Sequence, residues 1–395
     1  MASQPRASLV ATLVTWAEVD LDALQANVRA LKAWVGPKVE LIAVVKANAY
    51  GHGALPVARA ALAAGATRLA VHRLEEGIAL RQGGITAPIL LLGYVPVAAA
   101  VQVVRHRLTP TVITREFAEA LAACASGPYP VHIKVDTGMG RYGVMPEEAL
   151  DFARALCSMD KLVIEGIYTH FATADETETG FMQRQFKVFM DVLSALREAG
   201  ISPPLRHACN SAAMLRFREA HLDAVRPGIA LYGMAPSTAW PSPVTLQPVL
   251  TLKSRVTRLR TLPAGSSVGY GRTFIARRPT RVALVPVGYG DGYHRCVSHR
   301  GCVLIRGQRA PILGRISMDQ IVVDVSHIPD VQQEEEVVLI GAQGEEAIWA
   351  EEVATWAGTI NYEVTTALLP RVVRLYHWQG EWFREEGAGA DEGRV

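Results

Sequence analysis

The sequence predicts an α/β protein in which an N-terminal (β/α)8 barrel is followed by a C-terminal mostly-β domain. The 395 residues are enough for two domains, each with its own core. Eight short apolar runs, mostly separated by helical patterns, occupy the first part of the chain, and β-like runs joined by Gly and Pro turns occupy the second. We therefore expect a barrel over residues 15–240, a β domain over residues 246–378 and a flexible tail over residues 379–395.

Strand and helix patterns that alternate along the chain predict the barrel. The first helix begins at Asp20 or Asp22, each of which is a capping residue type, and ends near Trp34. A long helix extends from Thr179 to Ala199, and its apolar stripe is expected to pack into the core. The eight strands are predicted at VELIAVVK, RLAV, PILLLG, TPTVI, VHIKVD, LVIEGIYTH, LRHAC and LDAVR.

The β domain is predicted to follow a linker, because residues 234–245, MAPSTAWPSPVT, are rich in Pro, Ser and Thr. One helix, IWAEEVATWAG, interrupts its strands. The end of the chain, REEGAGADEGRV, has little apolar surface to bury and is expected to be loose. The strands are predicted within TLKSRVTRLR, RVALVPVG, GCVLIRG, QIVVDVS, EEVVLIG and RVVRLY.

Composition and charge argue against several classes of protein. Forty Lys and Arg against 38 Asp and Glu leave a net charge of +2, which argues against nucleic acid or an anionic membrane as the main partner. No apolar run approaches the roughly 20 residues that cross a bilayer. Residues 7–14 faintly resemble a signal-peptide core but lack a clear cleavage site. Five scattered cysteines without a CxxC pair are typical of reduced thiols, so we expect a cytoplasmic protein.

One local cluster contains the residue types that bind zinc. His294, Cys296, His299 and Cys302 fall within nine residues, in the turn-like sequence GDGYHRCVSHRG. Their spacing matches none of the usual paired ligand motifs, so we predict a loop without a metal. Cys209 has no assigned role beyond buried packing.

Lys46, in the stretch AVVKANAYGHG, is the first candidate for chemistry. It ends an apolar run that predicts a strand buried on both faces, and strand ends of a barrel deliver side chains to the active site. Burial would lower the pKa of its amine, and a neutral amine can form an imine. For this stretch alone, a lysine that keeps its charge in water is the alternative.

Further candidates lie at the ends of later predicted strands. Backbone amides at Gly228 and Ile229, with the Ser211 hydroxyl at the start of a helix, are expected to form a phosphate cradle. A lysine and a phosphate site in one barrel suggest pyridoxal phosphate as the cofactor. Each residue also has an ordinary explanation, such as a plain turn, a helix cap, a core histidine or a surface ion pair. The other candidates at this rim are Arg141, His170, Asn210 and Arg226.

The ordered motifs of the chain resemble those of alanine racemases, which are fold-type III pyridoxal phosphate enzymes. The resemblance covers nearly the whole chain, from TWAEVDLDAL to LLPRVVRLY. The motifs are AVVKANAYGHG, KVDTGMGRYG, YTHFATAD, HACNSAA, VRPGIALYG, VGYGRTF, VGYGDGY, GRISMDQ and INYEV.

By this resemblance, Lys46 holds pyridoxal 5'-phosphate as an imine, and Arg226 is the partner of the ring nitrogen. His170 belongs to the network that links Arg226 to the catalytic tyrosine. Arg141 contacts the cofactor phenolate and the substrate carboxylate. The phosphate ligands are Tyr50, Ser211, Gly228, Ile229 and Tyr362, with Asn210 alongside.

The resemblance also implies a two-base racemisation of alanine that supplies D-alanine for peptidoglycan. Lys46 acts on one face of Cα, and Tyr270 acts on the other as the second base. Tyr270 reaches the site of a neighbouring subunit, which implies a homodimer with shared active sites. The remaining roles are a carbamylated lysine at Lys134, a substrate-contacting segment at Met318 and Asp319, and an entrance gate at Tyr289 and Tyr362.

Several alternatives remain open. Related racemases act on serine or on larger amino acids, although the crowding by Met318, Tyr289 and Tyr362 favours a small side chain. A decarboxylase of the same fold type would be expected to have an acidic residue in place of Arg226 and a partner-chain cysteine in place of Tyr270. A non-catalytic protein that binds pyridoxal phosphate typically lacks the β domain. A purely structural barrel with an unused lysine is the simplest alternative.

Overall fold

The computed structural model describes residues 5–385 of the chain. Contacts divide the chain into two compact units. Leu24–Ala49 and Val57–Gln247 form the first, which we call the barrel unit. The residues up to Ala23, Tyr50–Pro56 and the residues from Pro248 onwards form the second, which we call the sheet unit.

The strands are numbered in chain order. They are β1 Thr15–Asp20, β2 Glu40–Val44, β3 Arg68–Val71, β4 Ile89–Leu91, β5 Thr109–Val112, β6 Tyr129–Lys134, β7 Leu162–Tyr168, β8 Leu205–His207, β9 Ala224–Val225, β10 Leu250–Arg255, β11 Arg258–Leu262, β12 Ser267–Val268, β13 Phe274–Ile275, β14 Thr280–Val285, β15 Cys302–Ile305, β16 Gln308–Leu313, β17 Ile321–Asp324, β18 Glu336–Gln343, β19 Glu346–Ile348, β20 Val373–Trp378 and β21 Glu381–Arg384.

Among residues 5–385, right-handed α-helices are fewer than strands, and most of them lie in the barrel unit. They are Arg6–Val10, Leu21–Val35, Ala54–Ala63, Leu74–Gln82, Ala100–Arg105, Arg115–Cys124, Ala149–Cys157, Gly180–Glu198, Ser211–Arg216, Ala350–Ala357 and Asn361–Thr366. Within residues 5–385, none of the helices combines the length and the apolar character that a membrane span requires.

The barrel unit is built on eight parallel strands that close into a ring. The order is β2 to β9, and β9 closes on β2 through the pairs Glu40↔Ala224 and Leu41↔Val225. All eight predicted strands are present, so the predicted (β/α)8 barrel is confirmed. Because the strands are parallel, their carboxyl ends meet at one rim.

The sheet unit contains a mostly antiparallel sheet of eleven strands. The path runs β11-β14-β17-β16-β15-β18-β10-β1-β20-β21, and β19 pairs with β18. The mostly-β character of this part of the chain is therefore confirmed.

Two segments differ from the boundaries expected from the sequence. Residues 15–20 were expected in the barrel, but β1 lies between β10 and β20 and pairs with both. These pairs satisfy both edges of the strand, and the Thr15 hydroxyl lies 3.0 Å from the Ser254 hydroxyl. The start of the expected flexible tail is also ordered, because β21 pairs with β20. The rest of that tail, residues 386–395, lies outside the described residues.

Candidate active site

Lys46 opens a turn of left-handed helix at the carboxyl end of β2. Ala47, Asn48, Ala49 and Tyr50 all have φ between 52° and 54°. An L-residue in this conformation costs roughly 1–2 kcal/mol relative to the right-handed helix. Such a turn is therefore expected to persist only where its surroundings hold it in place.

Glu76 supports this turn, and the sequence reasoning missed it. One carboxylate oxygen accepts the Ala47 N–H at 2.5 Å, and the other accepts the N–H groups of His72 and Arg73 at 2.8 and 2.9 Å. Glu76 thus ties the turn after Lys46 to the end of β3. The only local signal is its place three residues after Arg73, where a helix-capping glutamate commonly lies.

The amine of Lys46 has a lowered pKa. Burial is the main cause, and the nearby Arg141 guanidinium adds to it, while Glu76 opposes both. A lower pKa increases the fraction of neutral amine, which is the nucleophilic form.

Asp136 organises the loop that contains Arg141. Its carboxylate accepts four backbone N–H groups, from Gly138, Met139, Gly140 and Arg141, at 2.8 to 3.1 Å. Burial alone would raise the pKa of Asp136, but these four donors outweigh it and lower the pKa below its usual value. The aspartate therefore stays ionised and fixes the backbone from which Arg141 projects.

Lys134, at the end of β6, is a buried lysine among other cations. Its Nζ lies 5.5 Å from the centre of the Tyr142 ring and 5.9 Å from that of Tyr168. Burial, followed by the charges of Arg141 and Arg226, lowers the pKa of Lys134 to about 8.

Arg226 follows β9 and is almost fully buried. Nη1 lies 2.6 Å from His207 Nδ1, and Nη2 lies 2.7 Å from the Thr169 carbonyl and 3.2 Å from His170 Nδ1. Nη2 also donates to the Ala208 carbonyl at 3.0 Å. Burial lowers the pKa of Arg226 to about 10, so it remains a cation at neutral pH.

His170 is the neutral partner of this arginine. Burial, with the charge of Arg226 second, lowers its pKa well below the ordinary value. A neutral ring can accept from Nη2 of Arg226 through Nδ1. His170, at the end of β7, and Arg226 are thus brought together in the barrel unit.

Ser211 begins the helix Ser211–Arg216 at the same rim. The side chain of Asn210 caps this helix by accepting the Ala213 N–H at 3.0 Å, so Ser211 is not its cap. The Ser211 hydroxyl oxygen accepts the N–H groups of Gly228 and Ala230 at 2.9 and 3.3 Å. Within residues 5–385, the structure shows no acceptor for the hydrogen of the Ser211 hydroxyl. A buried donor at this position, beside Ile229, fits an anionic phosphate.

Tyr50 and Tyr362 meet within the sheet unit. Their ring centres lie 6.1 Å apart, with the ring planes inclined by 49°. Tyr362 lies in the helix Asn361–Thr366, which the sequence reading did not predict.

Tyr289 and Met318 lie on two segments of the sheet unit that are bound to each other. The Tyr289 N–H donates to the Ser317 carbonyl at 3.2 Å, and the Gly290 N–H donates to the Met318 carbonyl at 2.8 Å. Both side chains are exposed. Asp319 pairs with Arg371 at 2.9 Å.

Tyr270 lies at the tip of the hairpin formed by β12 and β13. Gly269 and Gly271 flank it with φ of 69° and 73°, a conformation that favours glycine at both positions. Its side chain is 70% exposed. The hairpin thus presents a phenol outward from its own chain.

Comparison with known proteins identifies the family. The model of the alanine racemase N-terminal domain matches residues 19–236, and that of the C-terminal domain matches residues 249–376. The chain belongs to the alanine racemase family. It is thus an enzyme of the isomerase class.

Individual alanine racemases align over almost their full length. The alanine racemase of Desulforamulus reducens is 49% identical over 366 residues, which is 91% of this chain and 98% of that protein. That of Halothermothrix orenii is 46% identical, over 92% of this chain and 97% of the relative. The crystal structure of the Bacillus anthracis enzyme with bound L-Ala-P has a TM-score of 0.89 and 41% identity, covering 94% of this chain and 97% of that one.

The zinc-like cluster noted in the sequence does not assemble in this alanine racemase family member. His299 Nε2 lies 2.8 Å from the Thr273 hydroxyl, and Cys302 Sγ lies 3.6 Å from Arg309 Nη1. Within residues 5–385, ligand-type atoms gather instead at Asp20, Asp22 and His377, of which one is exposed and two are half-buried. Cys209 is buried with its Sγ 3.1 Å from the Ala220 carbonyl, which agrees with a packing role.

Proposed function

We propose that the chain interconverts L-alanine and D-alanine with pyridoxal 5'-phosphate as its cofactor. The observation that supports this best is Lys46, whose amine has a lowered pKa at the barrel rim that also holds the Ser211 hydroxyl. The names of the relatives agree with this substrate.

The residues of the barrel unit fit the cofactor. Lys46 would bind its aldehyde, and Arg226 would face its ring nitrogen. The Ser211 hydroxyl and the Ile229 amide would bind its phosphate, and the Gly228 N–H, which donates to the Ser211 oxygen in this structure, would have to turn to the phosphate to join them. When bound, pyridoxal phosphate supplies an electron sink that acidifies Cα of an amino acid. For Tyr50, Tyr362 and Asn210, the proposed contacts with the cofactor rest on the sequence motifs.

Arg226 is proposed to set the type of reaction. Its pKa of about 10 keeps it a cation, so it donates a hydrogen bond but is a poor proton donor to a ring nitrogen. A ring that is not protonated is a weaker electron sink. This favours rapid return of the proton to Cα over the side reactions that a stronger sink supports. His170 lies beside Arg226 and is neutral, so it does not supply an acid that would protonate the ring nitrogen instead.

Lys46 and Tyr270 are proposed as the two bases. The neutral Lys46 amine can take the Cα proton on one face, and the Tyr270 hydroxyl can return a proton on the other. A phenol that is 70% exposed on its own chain fits a side chain that acts in a second copy. We therefore propose a head-to-tail homodimer with shared active sites.

Substrate size and binding are proposed from neighbouring groups. Arg141, on the loop fixed by Asp136, would hold the carboxylate. Met318, with the gate residues Tyr289 and Tyr362, would leave room for a small side chain only. The proposed location is the cytoplasm, and the proposed role is to supply D-alanine for peptidoglycan.

The direct test is to incubate the purified, cofactor-loaded protein with L-alanine and to measure D-alanine by chiral chromatography. We expect D-alanine from the wild type, almost none from Lys46→Ala, and a large loss in Tyr270→Phe. Lys187→Ala is a matched control, since Lys187 forms an exposed ion pair with Asp191 on a helix surface. It should retain full activity.

Other outcomes would redirect the proposal. A protein that shows imine absorbance but forms no D-alanine would overturn the substrate, and serine and larger amino acids would be tested next. Release of CO2 from an amino acid would favour the decarboxylase. A protein with no imine absorbance after addition of cofactor would contradict the role of Lys46.

A further inference from the structure

A chain of polar side chains connects Arg226 to the far end of the barrel. His207 Nε2 lies 3.0 Å from His132 Nδ1, and His132 Nε2 lies 3.2 Å from one carboxylate oxygen of Glu165. The other oxygen of Glu165 accepts from Arg68 Nη1 at 3.0 Å. With the 2.6 Å contact between Arg226 and His207, the links are continuous.

The two histidines in the chain are neutral. Their side chains are 1% and 0% exposed, and burial is the main cause of the lowered pKa of both rings. The pKa of Glu165 is also lowered, first by its bond with His132 and then by Arg68, so its carboxylate is ionised at neutral pH. A neutral imidazole has one N–H and one lone pair, and which nitrogen has the proton depends on its partners.

The two ends of the chain permit only one arrangement of protons. A guanidinium can only donate, so His207 Nδ1 must present a lone pair to Arg226, and its proton lies on Nε2. That Nε2–H donates to His132 Nδ1, so the proton of His132 lies on its own Nε2. A carboxylate can only accept, and Glu165 accepts this last proton.

The backbone is shaped to bring Glu165 to His132. Along β6 and β7, Val131 pairs with Ile164 but His132 pairs with Gly166, so Glu165 is the extra residue of a β-bulge. A bulge redirects the side chain of its extra residue. Gly166 leaves the space that the ring of His132 occupies, because a Cβ atom there would lie 2.5 Å from His132 Cε1.

We propose that Glu165 is a positioning residue, which holds His132 and His207 in their Nε2-protonated tautomers and so keeps a lone pair of His207 on Arg226. The inference rests on the proposed function only for the statement that Arg226 faces the cofactor. Without the carboxylate, His132 can place its proton on Nδ1. His207 would then have to accept at Nε2 and turn an N–H towards the guanidinium, and two donors would face each other at 2.6 Å.

Glu40 offers a matched control at the same end of the barrel. It pairs with Arg68 Nε at 2.9 Å, and Arg68 also pairs with Glu165. The hydrogen bonds of the described residues give Glu40 no histidine partner. Glu40→Gln therefore removes a carboxylate from the same arginine and leaves the two rings as they are.

The test is a long-range proton–nitrogen NMR spectrum of the holoenzyme with nitrogen-15-labelled histidine. Protonated and bare ring nitrogens have well separated shifts, and single His→Gln variants assign the rings. We expect His132 and His207 to be protonated at Nε2 alone in the wild type and in Glu40→Gln. Glu165→Gln should add signals of the second tautomer at both rings, in the fraction of molecules in which His207 has moved off Arg226, because the guanidinium still opposes an N–H at Nδ1 of His207.

Activity provides a second readout. Glu165→Gln should lower kcat for alanine by about tenfold, with KM within about twofold, because its effect reaches Arg226 and not the substrate carboxylate. Glu40→Gln should leave both constants unchanged. If the protein proves not to racemise alanine, the tautomers still decide the inference, so the two failures can be told apart.

The inference is overturned if His207 is protonated at Nδ1 in the wild type, or if Glu165→Gln leaves both rings in their original tautomers. Should Glu165→Gln fail to fold, Glu165→Asp replaces it. Aspartate keeps the charge, but its shorter side chain places the carboxylate farther from His132. The second tautomer should therefore be partly populated in this variant. A single tautomer in Glu165→Asp would then contradict the role.

Discussion

Gly166 and His132 lie against each other across two strands of the barrel, and the contact leaves no room for a side chain on Gly166. A Cβ atom there would lie 2.5 Å from Cε1 and 2.6 Å from Nδ1 of the His132 ring. The His132 ring cannot move easily, because both of its nitrogens are hydrogen-bonded. Gly166 cannot move easily either, because it pairs with His132 in the β-ladder. The contact holds the His132 ring against the backbone of β7.

Replacing Gly166 with alanine should destabilise the protein. The added methyl group must push the His132 ring out of its bonds, and overpacking of this kind costs about 1–3 kcal/mol. Urea unfolding at constant cofactor loading measures the change. Gly127→Ala is the control, because nothing lies within 4 Å of a Cβ atom there. Equal stability of the two variants would contradict the prediction.

Mild acid should destabilise the folded state through three buried histidines. Burial is the main cause of the lowered pKa of His132, His170 and His207. Below about pH 6.5 the unfolded chain binds a proton at each ring and the folded chain does not, so the free energy of unfolding falls as the pH falls. The loss can reach about 1.4 kcal/mol per pH unit for each histidine.

Urea unfolding at several pH values between 7.5 and 5 would measure this dependence. His207→Gln should reduce the slope of the free energy of unfolding against pH by the equivalent of about one bound proton. Glu165 would contribute only in a lower window, below about pH 4.3, because its pKa is lowered too. A flat profile from pH 6.5 to 5 would show that the rings are protonated in the folded chain.

Asp136→Ala should weaken substrate binding. The change removes the acceptor of four backbone N–H groups, so the backbone that positions the Arg141 side chain is no longer held. We expect KM for alanine to rise by about tenfold, which corresponds to roughly 1.4 kcal/mol. Steady-state kinetics test this, with the exposed Asp160→Ala as control. An unchanged KM would show that fixing this loop does not contribute to binding of the substrate carboxylate.

Lys134 should react with carbon dioxide. With a pKa of about 8, roughly a tenth of its amine is neutral at pH 7, far more than in an ordinary lysine. The carbamate is an anion and would relieve the repulsion from Arg141. Carbon-13 NMR in labelled bicarbonate should detect a carbamate signal that Lys134→Met removes. Persistence of the signal in that variant would assign it to another amine.

The sequence was sufficient to predict the barrel and much of its rim. Apolar runs between helical patterns are local signals, and Lys46, Ser211 and Arg226 are proposed as site residues because they follow such runs. The residues that support them were missed, because their positions depend on partners far along the chain. The bulge at Glu165 appears only when β7 is aligned with β6. Likewise, β1 looked like the start of the barrel because its partners β10 and β20 lie more than 200 residues away.

The left-handed turn after Lys46 also bears on the chirality of the chain itself. At φ 52°, the exposed Ala47 has the mirror image of ordinary helical geometry, which an L-residue resists and a D-residue prefers. Semisynthesis with D-alanine at this one position should therefore stabilise the folded protein. If the proposed function is right, this backbone would accept the enzyme's own product more readily than its substrate.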